Sequence, residues 1–194
     1  MDLGRAIARG AIGALFVGHG TQKLFGWFGG HGLEGTGGFF ESGLGLRPGK
    51  RHATAAGVAE TGGGLLLALG ALTPLAATAI SATMFTAIRK VHFEKGPWVT
   101  NGGYEYNLVL IAATAALVEA GPGRPSVDAE LFPKLHGTGW AIAAIAAAAA
   151  GSYLATERFN EPAPSEPETT DTGQPSRFQR EQATAQSEAA AANN

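Results

Sequence analysis

Cysteine is absent from the 194 residues, which excludes disulfides, thiolate catalysis, iron–sulfur clusters and thiolate-bound zinc for this chain. A thiol relay run by the chain alone goes with them. Charge is scarce as well: Asp, Glu, Lys and Arg make up 15% of the residues, against about 25% in soluble domains. The formal net charge is -2 and no basic patch stands out, so nucleic acid is not an expected partner. Glycine fills much of the space, with 29 residues. Few charges and many small residues together describe closely packed membrane helices, in which backbones approach one another.

Apolar runs near the ~20 residues that a bilayer core demands recur along the chain. The first extends from about Leu3 to Phe25. Arg5 and Arg9 precede its apolar part in the manner of a signal peptide, but no small-x-small cleavage site follows, so it is read as a retained helix. Within it Ala6, Gly10, Ala14 and Gly18 recur every four residues and predict a face for close helix packing. A second run, about His52 to Leu72, and a third, about Leu75 to Phe93, flank Thr73-Pro74 and read as a helical hairpin. The fourth starts near Tyr104 and ends at about Ala120, before Gly121-Pro122-Gly123-Arg124-Pro125. A fifth, Gly137 to Ala155, is almost all alanine, with Trp140 and Tyr153 near its ends as interface anchors.

Between the first two runs, Trp27, Phe28, Phe39, Phe40, Leu44 and Leu46 are too apolar for a free linker. They predict a loop on the membrane surface with a short interfacial helix over Thr36 to Leu44, capped by Thr36. Gly30, Gly32 and Gly35 match GxGxxG, but no strand precedes them, and turns are the plainer reading. The expected architecture is therefore all-α: a compact four-helix transmembrane bundle over residues 1–120, a polar loop over 121–137, an additional Ala-rich helix over 138–156 and a disordered polar tail over 157–194.

Alternating spans bring the scattered polar residues to one side. His19, Gln22 and Lys23 share a face at i, i+3 and i+4 near the end of the first helix. The second helix carries Glu60 between Gly57 and Gly64, the third ends at His92, and the fourth opens with Tyr104, Glu105 and Asn107. The opposite side, with the Thr73-Pro74 turn and the His136 loop, reads as chemically sparse. Glu60 and His19 are the catalytic candidates: a carboxylate inside a membrane helix is costly and is a functional candidate by default. Its alternative is structural, a carboxylate neutralised or held by Lys23 or Arg89. Gln22, Lys23, His92, Tyr104, Glu105 and Asn107 are ligand-binding candidates, though the last three also suit a helix start. His19 and His92 as axial haem ligands lack a supporting spacing, His31 and His52 read as surface histidines, and no metal set is expected. Lys and Arg are more numerous on the cluster side, which the positive-inside rule assigns to the cytoplasm.

The stretch GALFVGHGTQKLFGWFGGHGLEGTGGFFESGLGLRPG, together with Glu60 on the second helix and YEYNL at the start of the fourth, resembles the DoxX family of small bacterial and archaeal membrane proteins over about residues 5 to 120. Gly43 in ESGLGL and the alanine-rich fifth helix depart from that pattern. The resemblance implies a four-helix bundle in the bacterial plasma membrane. It also implies service as the membrane partner of quinone-reducing thiosulfate oxidation or, in mycobacteria, of an oxidant-defence assembly with superoxide dismutase and a sulfurtransferase.

Two functional readings are open. In the first, the chain is the membrane component of a redox or oxidative-stress system. A quinone-like carrier binds near His19, Lys23 and Glu60, and the electrons come from a partner such as a soluble oxidoreductase or from a substrate that reacts directly with the carrier, since the chain has no evident electron carrier of its own. An enzymatic role would then be that of a quinone-linked oxidoreductase subunit. In the second, the chain is a non-catalytic scaffold or lipid-binding protein that recruits a soluble partner. Membrane lipids are partners in both, and a homo-oligomer is compatible with either. A transporter is disfavoured, because no inverted repeat is visible.

Overall fold

Apolar runs punctuated by glycine and proline become five long helices and two short ones in the computed structural model, which describes residues 2–163 and 181–182. They are α1 (Leu3–Phe25), α2 (Gly32–Leu44), α3 (Gly49–Leu69), α4 (Thr73–Ala87), α5 (Glu105–Ala120), α6 (Val127–Leu131) and α7 (Thr138–Tyr153). No strand occurs among the described residues. The chain divides into Met1–Pro162, which contains α1 to α7, and Ala163–Asn194, of which Glu181 and Gln182 are helical. Residues 157–163, read from composition as the start of the tail, are described; apart from 181–182, the rest of the expected tail lies outside the described residues.

The expected first helix agrees with α1 at both ends. Its stop is Gly26, which turns left-handed at φ 73° and sends its N–H back to the Gln22 carbonyl. The interfacial helix exists as α2 but begins four residues earlier than expected. Thr36 is therefore not its cap; it lies inside α2, buried, while His31 occupies the capping position. Local composition misplaced that start because Gly32 and Gly35 look like loop residues, whereas α2 as a whole packs on α3.

Length and composition suffice for a membrane crossing in one helix among the described residues, Thr138–Arg158, which is α7 with its continuation. The other four long helices fall short on those grounds. Arg5, Arg9 and Lys23 lie on α1, Lys50 and Arg51 open α3, and glycines dilute both.

The helix that packs α1 is α3, antiparallel to it. A Cβ on Gly13 would stand 2.5 Å from the Gly64 carbonyl, and one on Gly64 would stand 2.6 Å from the Gly13 carbonyl. Seven residues further along α1, a Cβ on Gly20 would stand 2.6 Å from the Gly57 carbonyl. The contact face is thus Gly13, Phe16 and Gly20 rather than the predicted Ala6, Gly10, Ala14 and Gly18. Around Gly10 and Gly18 there is open space. A four-residue count identifies a stripe of small residues, but it does not say which stripe meets a partner.

On the other side α3 packs on α4, and α4 on both α5 and α7. Phe16, Leu67, Ile80, Leu110 and Leu117 form the larger apolar core. Ala77, Val118, Ala141 and Ala144 form a second one, by which the alanine-rich α7 joins the bundle. Both α4 and α7 end in wider, i→i+5 turns, over Ile88–His92 and Leu154–Arg158. Such turns shift a helix's register by a fraction of a turn and recur beside functional sites.

The far end of the bundle is not sparse. Asp128, 1% exposed, accepts hydrogen bonds from the Leu72 N–H (2.7 Å), the Thr73 N–H (2.8 Å) and the Thr73 hydroxyl (2.6 Å), and so caps α4 from 55 residues away. Arg9 donates to the carbonyls of Ala68 and Pro125. Asp2 pairs with Arg5 and accepts the Arg124 N–H; that N–H, and then Arg5, hold the Asp2 carboxyl below its ordinary value. Apart from the Asp2–Arg5 pair, these partners lie more than fifty residues apart along the chain, beyond the reach of local sequence spacing.

Candidate functional site

At the opposite end, where α1, α4 and α7 finish and α3 and α5 begin, the helices leave a cavity of about 490 Å³ between them. Its walls are mostly apolar, with Phe16, Phe40, Leu46 and Leu110 among them, and α2 covers one side through Phe39, Phe40 and Leu44. Five of the eight predicted site residues line it: His19, Lys23, Glu60, His92 and Asn107.

The strongest polar contact joins α1 to α3. Lys23 Nζ donates to Glu60 Oε2 at 2.5 Å and also reaches the His19 carbonyl at 3.4 Å. Glu60 is 5% exposed, because Gly57 and Gly64 on the same helix allow α1 to come close enough to cover it. Of the two cations weighed for Glu60, Lys23 is the partner; Arg89 turns instead to α7, donating to the Thr156 hydroxyl and to Glu157, each at 2.8 Å.

The other three predicted residues lie around the cavity rather than on it. Gln22 faces the His19 ring through its amide oxygen at 3.2 Å, and its amide nitrogen donates to the Phe28 carbonyl. Tyr104 stacks on Phe93, with ring centroids 6.3 Å apart, at the start of α5. Glu105 accepts the Val99 N–H at 3.0 Å and so shapes the preceding loop.

Sequence reasoning missed His52, read as a surface residue. It is buried, lines the cavity and donates from Nε2 to the Arg47 carbonyl. Its separation from Glu60, two helical turns along one face of α3, was the available signal. Also missed were the hydroxyls of Thr83 and Thr86 on α4, of Ser152 on α7 and of Thr156 in the wider turn that continues α7. Each pair is spaced to share a helix face, i and i+3 or i and i+4, but in alanine-rich runs such hydroxyls carry little signal. Among the described residues no group of three or more His, Asp or Glu is placed to hold a metal ion.

One wall of the cavity is tied shut by the residues after α7. The Asn160 side chain accepts the Arg47 N–H at 2.5 Å and donates to the Gly45 carbonyl at 3.0 Å, and the Glu161 N–H reaches the Arg47 carbonyl at 2.9 Å. Arg51 sits over the Phe159 ring at 6.0 Å. This strap holds the α2–α3 connection against the end of α7. Asn160→Ala removes two hydrogen bonds and is expected to speed amide exchange at Arg47 and Glu161 by roughly tenfold, with little change in global unfolding. Exchange followed by mass spectrometry in detergent checks this, and unchanged rates would show that the strap contributes nothing.

Residues 4–93 match the family model described as DoxX. The match ends with the last turn after α4, so α5 and α7, which complete the cavity, lie beyond it. No curated protein and no solved structure matches this chain.

Proposed function

Over residues 4–93 this chain is a DoxX-family membrane protein, and from that premise we propose that it is a multipass component of a redox or oxidative-stress system in the bacterial plasma membrane, holding a quinone-like carrier in its interhelical cavity. The observation that carries the reading is the pairing of half-buried Lys23 with buried Glu60 in the wall of a largely apolar chamber. A volume of about 490 Å³ lies within the ~300–1,000 Å³ usual for small-molecule sites. Apolar walls suit a hydrocarbon-tailed carrier, and a few convergent polar groups orient its ring.

In this reading α1, α3, α4, α5 and α7 cross the bilayer. At 1.5 Å per residue, the 23 residues of α1 span ~35 Å, enough for a ~30 Å hydrocarbon core. Exposed aromatic residues stand at both ends: Trp27, Phe28, Phe93 and Trp98 near the cavity, Phe132 and Trp140 at the far end. Two such belts match the two lipid–water interfaces.

A bound quinone would supply the electron-accepting chemistry. The chain contributes position and protons: Lys23 and Glu60 are joined through one hydrogen bond, so a proton accepted at either is passed within the pair. With no cysteine to carry thiol or iron–sulfur chemistry, electrons come from a soluble oxidoreductase partner docked at the cavity end.

Purified protein in mild detergent tests this directly. Decylubiquinone is expected to raise the melting temperature, and Lys23→Met or Glu60→Gln to weaken its binding by about tenfold or more, the loss of one charge-assisted hydrogen bond. Absence of any shift for the unaltered protein would end the carrier reading.

A further inference from the structure

We infer that the cavity holds only the head of its carrier and that the carrier's chain leaves between α1 and α5 into the bilayer, so that the ligand is a long-chain, lipid-soluble quinone loaded from the membrane. The inference rests on the carrier reading and comes from setting the volume of the chamber against the places where its wall is open.

Volume sets the first limit. About 490 Å³ is room for roughly sixteen non-hydrogen atoms at the ~30 Å³ that a water occupies in the liquid. A benzoquinone ring with methoxy and methyl groups uses most of that. An attached polyprenyl chain must therefore run outside.

The wall is open where lining side chains also face outward. Phe16, Leu46 and Leu110 line the cavity and are buried. Leu15 on α1 and Tyr106 on α5 line it too, yet are 56% and 54% exposed, far more surface than one residue's share of so small a chamber. His19, one turn from Leu15 on the same face of α1, is exposed as well. At the far end Arg5 ties α1 to α5 by donating to the carbonyls of Ala120 and Gly121. At the cavity end α1 packs on α3 and α2 while α5 packs on α4 and α7, and among the described residues no hydrogen bond or ion pair crosses from α1 to α5 there. The opposite flank, between α3 and α7, has exposed lining residues in Ala55 and Gly151, but the strap after α7 bridges it: Arg51, one turn from Ala55, lies over the Phe159 ring.

Depth decides what the opening faces. Leu15 lies ten residues before Phe25, the end of α1, which is ~15 Å at 1.5 Å per residue and near the middle of a ~30 Å hydrocarbon core. Tyr106 is the second residue of α5 and sits at the interface, where tyrosine is favoured. The seam thus runs from the headgroups to the bilayer centre, and its rim offers apolar surface to a hydrocarbon chain.

The full chain in mild detergent, with decylubiquinone and its chain-free parent dimethoxy-methyl-benzoquinone as the probes, tests this through the ratio of the two affinities; micelle partitioning is common to all variants and cancels when their ratios are compared. Leu15→Trp, which fills the seam, is expected to lower the preference for decylubiquinone about tenfold, the loss of roughly two methylene contacts. Ala55→Leu on the strapped flank is expected to leave that preference within about twofold. Melting temperature checks folding. A decylubiquinone derivative with a diazirine on its chain gives a second reading on the unaltered protein, with photoadducts expected on α1 and α5 around Leu15 and Tyr106. An unchanged preference in Leu15→Trp, a fall in Ala55→Leu, or adducts confined to α3 and α7 overturns the exit but leaves the carrier reading standing. Failure of both quinones to bind overturns the two together.

Discussion

Gly13→Ala, Gly20→Ala and Gly64→Ala are each expected to lower stability by about 2–3 kcal/mol, whereas Gly10→Ala and Gly18→Ala leave it unchanged or raise it by up to about 1 kcal/mol. All five glycines are inside helices, and by helix propensity alone every one of these changes is favourable. The sign is set by what the new methyl group meets. At Gly13, Gly20 and Gly64 it meets backbone atoms of the facing helix at 2.5–2.8 Å, and backbone cannot rotate away as a flexible side chain can. Relief requires α1 and α3 to move apart, which also loosens Phe16 and Leu67 in the core and opens the cover over Glu60. Thermal unfolding in detergent reads this as a drop of roughly 5–10 °C against no drop for the controls. Equal behaviour of the two groups would mean that the helices do not approach at these glycines.

Asp128→Ala is expected to cost about 3–5 kcal/mol, although Asp128 lies outside the long helices and far from the cavity. Its carboxylate takes three donors at the start of α4, two of them backbone N–H groups that helical geometry cannot satisfy internally. Each orphaned buried donor costs about 1–3 kcal/mol. Leu72 is also held in a left-handed conformation at φ 45°, an arrangement that persists only because surrounding contacts impose it. Arg9, 4% exposed and within the field of Asp128, loses its counter-charge in the same variant. Asp128→Asn, which keeps one acceptor oxygen, is expected to lose less. Thr73→Val, which removes one donor and one bond, should cost about 1 kcal/mol. A loss at Asp128→Ala no larger than that at Thr73→Val would show that the carboxylate is not the cap of α4.

These two sets of variants mark where local reading of the chain succeeded and where it ran out. The helices themselves were legible: α1 has its predicted ends, α3 and α4 form the expected hairpin, although its turn is Gly70 to Leu72 and Thr73-Pro74 opens α4, and Gly121 to Pro125 stops α5. The convergence of His19, Lys23, Glu60, His92 and Asn107 was legible as well, since reversing direction at each turn leaves these residues at one end of the bundle. The residues on the cavity and those beside it were not separable in advance. Gln22 shares a face with His19 but spends its amide on the Phe28 carbonyl; Tyr104 and Glu105 shape the connection into α5. His52 went unnoticed because a histidine at a helix start has the same local signature whether it faces water or a chamber.

Periodicity, turn residues and the scarcity of charge, all local properties, were enough to determine that this chain is helical, where its helices turn and at which end its ionisable groups collect. The facing register of Gly13 with Gly64, the remote cap supplied by Asp128 and the wall added by α7 were decided only in three dimensions. Each of these depends on rotation of one helix against another by a fraction of a turn, and that rotation is set by the shapes of many side chains packing at once. No short stretch of sequence contains that information.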